Sequence, residues 1–200
     1  MARGNAATAA FTVTESDALL PVITGQLAFC EGQSTTLDAG SFDSYAWSTG
    51  ADMLTARYYL DCAAIDGKNY CAGGYPTTGN TALQIYDIAT DTWSTGAPLP
   101  AGRYAYTAVA MDGKYYVIGG YTTVYEASVL AYDPVTDTWD TTLPDMSIAR
   151  RDAFSGVIGG KIYVISGRSS SSGYLDTAEV YDPVANTWSP IASLPVSSWM

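Results

Sequence analysis

One ordered set of residues occurs three times in this chain of 200 residues. It begins with an arginine, reaches a tight turn nine residues later, and continues through a glycine-containing doublet and a Tyr-Asp pair to a tryptophan. The arginines are 46 and 47 residues apart, and the tryptophans 46 and 49. Such a period indicates a repeat architecture in which each unit is one supersecondary element. The outer members of the set are Arg57, Arg103 and Arg150, and Trp93, Trp139 and Trp188.

Each repeat predicts four short antiparallel strands. Its apolar runs are rich in Val, Ile, Tyr and Thr and are broken by Gly, Pro, Asp and Ser, which is typical of strands and turns. In the second repeat we expect strands near 105–111, 114–119, 127–132 and 138–141. The sequence Asp112-Gly113 lies between the first two and favours a type I′ hairpin. No long amphipathic helical pattern occurs, so the predicted fold class is all-β.

The ordered set resembles the kelch repeat, and the resemblance covers residues 57–200. It implies three four-stranded blades of an incomplete β-propeller, at 57–102, 103–149 and 150–200. Only the third doublet departs from the pattern, because Ser166 replaces the first glycine. Since the arginines and tryptophans recur in every blade, we expect them to be structural rather than ligand-binding.

The first 56 residues do not follow the period. We expect an extended arm at 1–20 and additional β-structure at 21–56. Residues 21–40 resemble the opening strands of a bacterial immunoglobulin-like surface module. Trp47 fits a core position of that module, but Trp47-Ser-Thr-Gly-Ala also recurs at Trp93. We favour residues 43–50 as the last strand of an incomplete leading blade.

Two of the three cysteines face each other in the predicted first hairpin. Counting outward from the Asp66-Gly67 turn pairs Cys62 with Cys71, with Cα atoms about 4.5 Å apart, which suits a disulfide. Two buried thiols are the alternative, and a Cys30–Cys62 bridge is another. A disulfide would indicate an oxidising compartment.

The acidic balance argues against two classes of partner. Nine basic residues stand against 20 acidic ones, giving a net charge of −11. Nucleic acids and anionic membranes require basic patches, and the only basic pair is Arg150-Arg151. No run approaches the roughly 18–20 apolar residues of a membrane span, and no convincing signal peptide is present.

The composition also argues against catalysis. The chain contains no histidine, which removes His-based nucleophile systems and His-ligated metals such as the copper of kelch-type radical oxidases. No isolated carboxylate pair, EF-hand loop or P-loop was found. We therefore expect no enzyme activity, no cofactor and no metal.

The loops after the glycine doublets vary between repeats and carry Tyr, Ser, Gly and Thr, a composition of adaptable recognition surfaces. We expect them on one face, as a weak binding rim. Solvated loops whose tyrosines cover the core are the alternative, and their Ser/Thr runs are candidate O-glycan acceptors. The rim residues are Tyr75, Tyr121, Tyr125, Arg168 and Tyr174.

These features predict a non-enzymatic structural or adhesion module, extracellular or at a cell surface. Its expected partners are copies of itself or a surface protein, with glycans as a further candidate, in an oligomer or surface fibre. The alternative is the propeller part of a larger secreted carbohydrate-active enzyme whose catalytic residues lie outside this chain.

Overall fold

A computed structural model describes residues 7–9, 27–29, 49–76 and 79–195. It divides the chain into two compact units, Met1–Thr49 and Gly50–Met200. In the first unit, strand β1 (Ala7–Ala9) pairs antiparallel with β2 (Leu27–Phe29), and Thr8 lies opposite Ala28. The proposed arm therefore contains a strand that is paired within its own unit. The remainder of the predicted immunoglobulin-like segment lies outside the described residues, apart from its last few positions.

The described part of the second unit contains three four-stranded antiparallel sheets, one for each repeat. Each sheet follows chain order from its first strand to its fourth. The first blade contains β3 (Cys62–Ile65), β4 (Lys68–Ala72), β5 (Leu83–Asp87) and β6 (Thr92–Gly96). The second contains β7 (Thr107–Met111), β8 (Lys114–Ile118), β9 (Val129–Asp133) and β10 (Thr138–Asp140). The third contains β11 (Phe154–Ile158), β12 (Lys161–Ile165), β15 (Ala178–Asp182) and β16 (Thr187–Ile191).

These sheets confirm the predicted all-β class and four-stranded blades. The strands expected in the second repeat agree with those observed to within about two residues, the usual uncertainty of strand ends. One element was missed, since the long third loop forms a small hairpin of β13 (Arg168–Ser169) and β14 (Gly173–Tyr174). No described residue lies in a helix, so the described part has no helix that could cross a membrane.

The core lies between adjacent blades. One buried cluster packs the first blade against the second, with Leu83, Tyr115 and Val117 almost inaccessible to solvent. The other cluster packs the second blade against the third around Ile118 and Ile162. The second blade is thus covered on both faces, which explains why its strands are the most completely buried.

The third blade is covered on one face only by the described residues. Ile158 of β11 is 68% exposed, whereas Met111 at the equivalent position of β7 is 5% exposed. Phe154, on the same face of that strand, is also exposed. The third blade therefore presents apolar side chains to solvent where the second blade buries them.

Candidate binding surface

The repeated arginines act as hydrogen-bonding clamps inside each blade. Arg103 Nη1 donates to the carbonyl oxygens of Gly119 at 3.0 Å and Ser128 at 3.1 Å. Arg57 and Arg150 make the equivalent pairs of bonds in the other blades. Burial lowers the pKa of each of the three guanidinium groups. Each of these cations donates to two main-chain carbonyls within its own blade.

The third clamp has an additional ionic contact. Arg150 Nη2 lies 2.7 Å from Glu179 Oε1, and both side chains are almost fully buried. The second carboxylate oxygen of Glu179 accepts a 2.8 Å hydrogen bond from the amide of Ser147. Both oxygens of this buried carboxylate are therefore paired, as a buried charge requires.

The repeated tryptophans tie each blade to the segment before it. Each indole Nε1 donates to a main-chain carbonyl 42 to 44 residues earlier, at 2.8–3.0 Å. The acceptors are the carbonyls of Ala51 for Trp93, Ala97 for Trp139 and Pro144 for Trp188. Ala51 thus contacts the first blade just as Ala97 contacts the second. Residues 43–48 of the predicted leading-blade strand lie outside the described residues, so that interpretation stays a prediction.

Cys62 and Cys71 are opposite each other in the register of β3 and β4, as the counting predicted. Their Cα atoms are 4.6 Å apart and their sulfur atoms are joined in a disulfide. The equivalent pairs in the other blades are Ala108 with Val117, and Ser155 with Val164. The disulfide is therefore an addition to the first blade rather than part of the repeat.

A short left-handed backbone step precedes the first strand of every blade. Tyr59, Ala105 and Asp152 lie two residues after the clamp arginines and have φ values of 53–55°. The amide of Ala105 donates to Tyr59 O at 2.7 Å, and the amide of Asp152 donates to Ala105 O at 2.8 Å. These steps link the three blades. The residues immediately before them, Tyr58, Tyr104 and Arg151, lie on one shared face. We call this the loop face.

Six tyrosines lie in an unbroken series of ring contacts on the loop face. Neighbouring ring centroids are 5.0–6.3 Å apart, within the range of favourable aromatic pairs. Three main-chain bridges support the series, Tyr58 with Tyr75, Tyr104 with Tyr121, and Tyr121 with Tyr125. We call this series the tyrosine ladder; its members are Tyr58, Tyr59, Tyr75, Tyr104, Tyr121 and Tyr125.

The ladder ends at Arg151 of the third blade, which forms a main-chain bridge with Arg168. The Arg151 guanidinium carbon lies 5.6 Å from the ring centroid of Tyr121 and 5.2 Å from that of Tyr125. Arg168 lies over Tyr174 at 5.6 Å. Both are cation–π distances. The ladder thus has an aromatic end in the first blade and a cationic end in the third.

Part of the ladder is open to solvent. Tyr58 and Tyr59 are 52% and 61% exposed. They form, with Tyr75, Tyr104 and Arg151, much of the wall of an open cleft of about 290 Å³. Partial desolvation and the neighbouring tyrosines raise the pKa of Tyr58. The cleft offers stacking surfaces and phenol hydroxyls, and no three potential metal ligands cluster among the described residues.

Sequence reasoning identified part of this surface. All five predicted rim residues lie on it, although Tyr75, Tyr121 and Tyr125 are half-buried rather than fully exposed. Four contributors were missed: Tyr58, Tyr59, Tyr104 and Arg151. In the sequence, these residues could have been recognised by their position one or two residues after a clamp arginine, where the repeated motif gives way to variable residues.

Comparisons with known proteins agree with the repeated four-stranded blades. The kelch motif matches residues 102–147 and 149–195. Two putative F-box/kelch-repeat proteins of Arabidopsis thaliana are similar over short stretches. One is 51% identical over 49 residues, covering 24% of this chain and 13% of that protein. The other is 47% identical over 60 residues, covering 28% and 16%. The chain thus aligns with less than a fifth of the length of these relatives.

The expected extracellular or cell-surface location is contradicted by these relatives, which are F-box/kelch-repeat proteins of a plant. The argument from composition and from the disulfide was wrong because neither feature is restricted to exported proteins.

The solved structure of YjhT has a similar fold, with a TM-score of 0.64 at 20% identity, over 74% of this chain and 55% of that one. Its likeness supports the arrangement of the blades, and the motif match covers the second and third of them. The second and third repeats therefore match the kelch motif, and all three repeats fold as four-stranded blades of the propeller type.

Proposed function

We propose that the chain is a protein-interaction module that binds its partner through the tyrosine ladder on the loop face. The observation that carries this proposal is the ladder itself, six contacting tyrosines that end at Arg151. Kelch repeats imply an interaction module in general terms. The ladder gives that role a specific surface.

The composition of the ladder supports protein binding. Tyr and Arg are enriched among the residues that contribute most to interface affinity. Tyrosine supplies a large amphipathic surface and loses little conformational entropy on binding. Here the bridges Tyr58–Tyr75 and Tyr104–Tyr121 hold the main chain of four ladder residues. A surface fixed before binding favours affinity because fewer groups must be ordered.

The absence of enzyme activity remains a prediction. It rests on the lack of histidine in the chain and on the structural use of the repeated arginines and Asp residues. The alternative, a propeller within a larger carbohydrate-active enzyme, remains a second hypothesis. The tyrosine rings would suit sugars, so glycan binding is tested with the same surface variants.

The experiment compares three immobilised proteins in an extract of the source organism. One is the wild type, one carries Tyr59→Ser and Tyr104→Ser in the ladder, and one carries Val135→Ser and Val184→Ser in exposed turns of other loops. We expect a defined partner to be retained by the wild type and the turn variant and lost by the ladder variant. Equal retention by all three would reject the ladder as the binding surface. A glycan array probed with the same proteins tests the sugar alternative.

A second candidate role is self-association through the open face of the third blade. Phe154 and Ile158 expose apolar surface on the uncovered face of β11, and such patches often mark interfaces. Light scattering of the wild type should then give a mass above 21.2 kDa, and Ile158→Asp should return it to the monomer value. A monomeric wild type across the accessible concentration range would exclude this role.

A further inference from the structure

Among the described residues, two arginines have no role in the repeat. Arg57, Arg103 and Arg150 are clamps. The three turn lysines form ion pairs with the Asp of each Tyr-Asp pair: Lys68 with Asp87, Lys114 with Asp133 and Lys161 with Asp182. The basic residues of the described part that have no such repeated role are Arg151 and Arg168. Both lie at the same end of the tyrosine ladder.

Arg151 and Arg168 are also paired directly. They form an antiparallel bridge, with amide-to-carbonyl hydrogen bonds of 3.0 and 2.8 Å in the two directions. The same bridge joins Tyr58 with Tyr75 in the first blade and Tyr104 with Tyr121 in the second. The third blade thus has two like charges opposite each other where each of the other two blades has an aromatic pair. Like charges in this arrangement are intrinsically destabilising.

Among the described residues, one of these two arginines forms an ion pair. Arg151 Nε lies 3.3 Å from a carboxylate oxygen of the exposed Asp152. The rings of Tyr121 and Tyr125 face Arg151, and Tyr174 faces Arg168. Arg168 itself is exposed to solvent. In a chain whose net charge is −11, two arginines thus lie side by side at this corner of the loop face with a single ion pair between them and the described carboxylates.

We propose that the Arg151–Arg168 pair binds a carboxylate of an acidic segment in the partner protein, whose neighbouring residues lie along the tyrosine ladder. This inference rests on the proposed function, since it names the chemistry of the same surface. Guanidinium groups bind carboxylates with short, directional hydrogen bonds. The acidic remainder of the chain repels a long polyanion, so the geometry suits a segment with one or two carboxylates.

The probe is the short peptide Gly-Glu-Glu-Gly, acetylated and amidated, with Gly-Gln-Gln-Gly as its uncharged match. Binding to the full chain is followed by NMR through the arginine Nε–Hε signals. We expect the Glu peptide to shift the signals of Arg151 and Arg168, and the Gln peptide to leave them unchanged. The variant R151Y/R168Y restores the aromatic pair of the other two blades and should weaken binding at least about tenfold. The control Lys161→Gln removes a cation from the turn at the other end of β12 and should bind as the wild type does.

Asp152→Asn provides a test that misfolding cannot imitate. Removing the competing carboxylate should tighten binding of the Glu peptide several-fold, and asparagine tolerates the left-handed backbone at this position. Unchanged or weaker binding by Asp152→Asn, equal binding by R151Y/R168Y, or no shift in the wild type up to about 10 mM peptide would each overturn the inference. Stronger binding of a phosphoserine peptide than of the Glu peptide would reassign the site to phosphorylated partners.

The two proposals fail in different ways. If R151Y/R168Y retains the partner that the ladder variant Tyr59→Ser/Tyr104→Ser loses, the interaction module stands and the acidic segment is rejected. If the ladder variant also retains that partner, the proposed binding surface itself is rejected.

Discussion

Trp139 Nε1 donates a 2.9 Å hydrogen bond to the carbonyl oxygen of Ala97, the residue that follows the last strand of the preceding blade. The amide of the same Ala97 donates at 2.7 Å to Asp137 Oδ1, which also accepts a hydrogen bond from Tyr132. The second blade therefore pairs both main-chain groups of Ala97. The third blade departs from this pattern, since Pro144 lies at the corresponding contact and has no amide hydrogen, and Asn186 replaces the aspartate.

We predict that Trp139→Ala destabilises the protein by about 2–4 kcal/mol, because it removes a half-buried ring and an interblade hydrogen bond. Trp139→Phe keeps most of the packing and loses the N–H donor, so it should cost about 1 kcal/mol. Urea unfolding monitored by circular dichroism measures both values. An alanine variant as stable as the wild type would show that this contact does not hold the blades together.

The departure of Ser166 from the glycine doublet leads to a matched pair of predictions. A Cβ on Gly119 would lie 2.5 Å from the carbonyl oxygen of Arg150, and Gly119 has a φ of 64°. Gly119→Ser should therefore cost about 2–4 kcal/mol through overlap and backbone strain.

The reverse change, Ser166→Gly, should alter the free energy of unfolding by less than about 1 kcal/mol. It relieves a positive φ but loses the hydrogen bond from Ser166 Oγ to Leu175 O. Thermal unfolding of both variants tests the pair. Similar effects at the two positions would contradict the explanation that the next blade's carbonyl requires the glycine.

The Asp137 carboxylate, which bonds the second blade to Ala97, should make the stability of the fold depend on pH in the acid range. Hydrogen bonds from Tyr132 and from the amide of Ala97 lower the pKa of Asp137 below its ordinary value of 3.8. A lowered folded-state pKa means that the ionised group stabilises the fold above that ordinary value, and that this contribution is lost as the pH falls through the lowered pKa. The difference in unfolding free energy between the wild type and Asp137→Asn should thus be constant near neutral pH and shrink below pH 3.8. Asp112→Asn, in an exposed turn, is the matched charge control, and the same pH profile in both variants would contradict the prediction.

The disulfide should add stability to the first blade alone. Reducing the Cys62–Cys71 bond should lower the free energy of unfolding by about 2–3 kcal/mol, the chain-entropy estimate for its short loop. Intact mass of the air-oxidised protein should fall short of the reduced mass by two hydrogens. The double variant Cys62→Ala/Cys71→Val copies the pair Ala108–Val117 of the second blade, and it should be insensitive to reductant. Full alkylation of both cysteines without prior reduction would show that the bond does not form.

The blades were predictable because their determinants are local and occur three times. The turn at Asp112-Gly113 and the alternation of the flanking strands define a hairpin without reference to the remainder of the chain. The same counting placed Cys62 opposite Cys71. Repetition also separated Arg103 and Trp139, which recur in every blade, from loop residues that vary.

The tyrosine ladder was only partly predictable because it depends on contacts between blades. Tyr59 and Tyr104 are 45 residues apart in sequence, and only the left-handed steps bring their rings to 6.3 Å. The pairing of Arg151 with Arg168 likewise depends on a bridge between segments outside the main strands. The extracellular or cell-surface location was predicted wrongly because it was inferred mainly from overall composition, which specifies no particular contact or site.

The hydrogen bonds from Ala105 to Tyr59 and from Asp152 to Ala105 connect each blade only to the one before it. A repeat built from nearest-neighbour contacts gains or loses whole units without altering the contacts inside those that remain. Duplication of one complete repeat would carry its own clamp arginine, its own indole donor and its own share of the aromatic surface. Recombination can consequently change the length of the loop face by one repeat at a time. Each added repeat brings a new, independently variable pair of residues at the position that Arg151 and Arg168 occupy here.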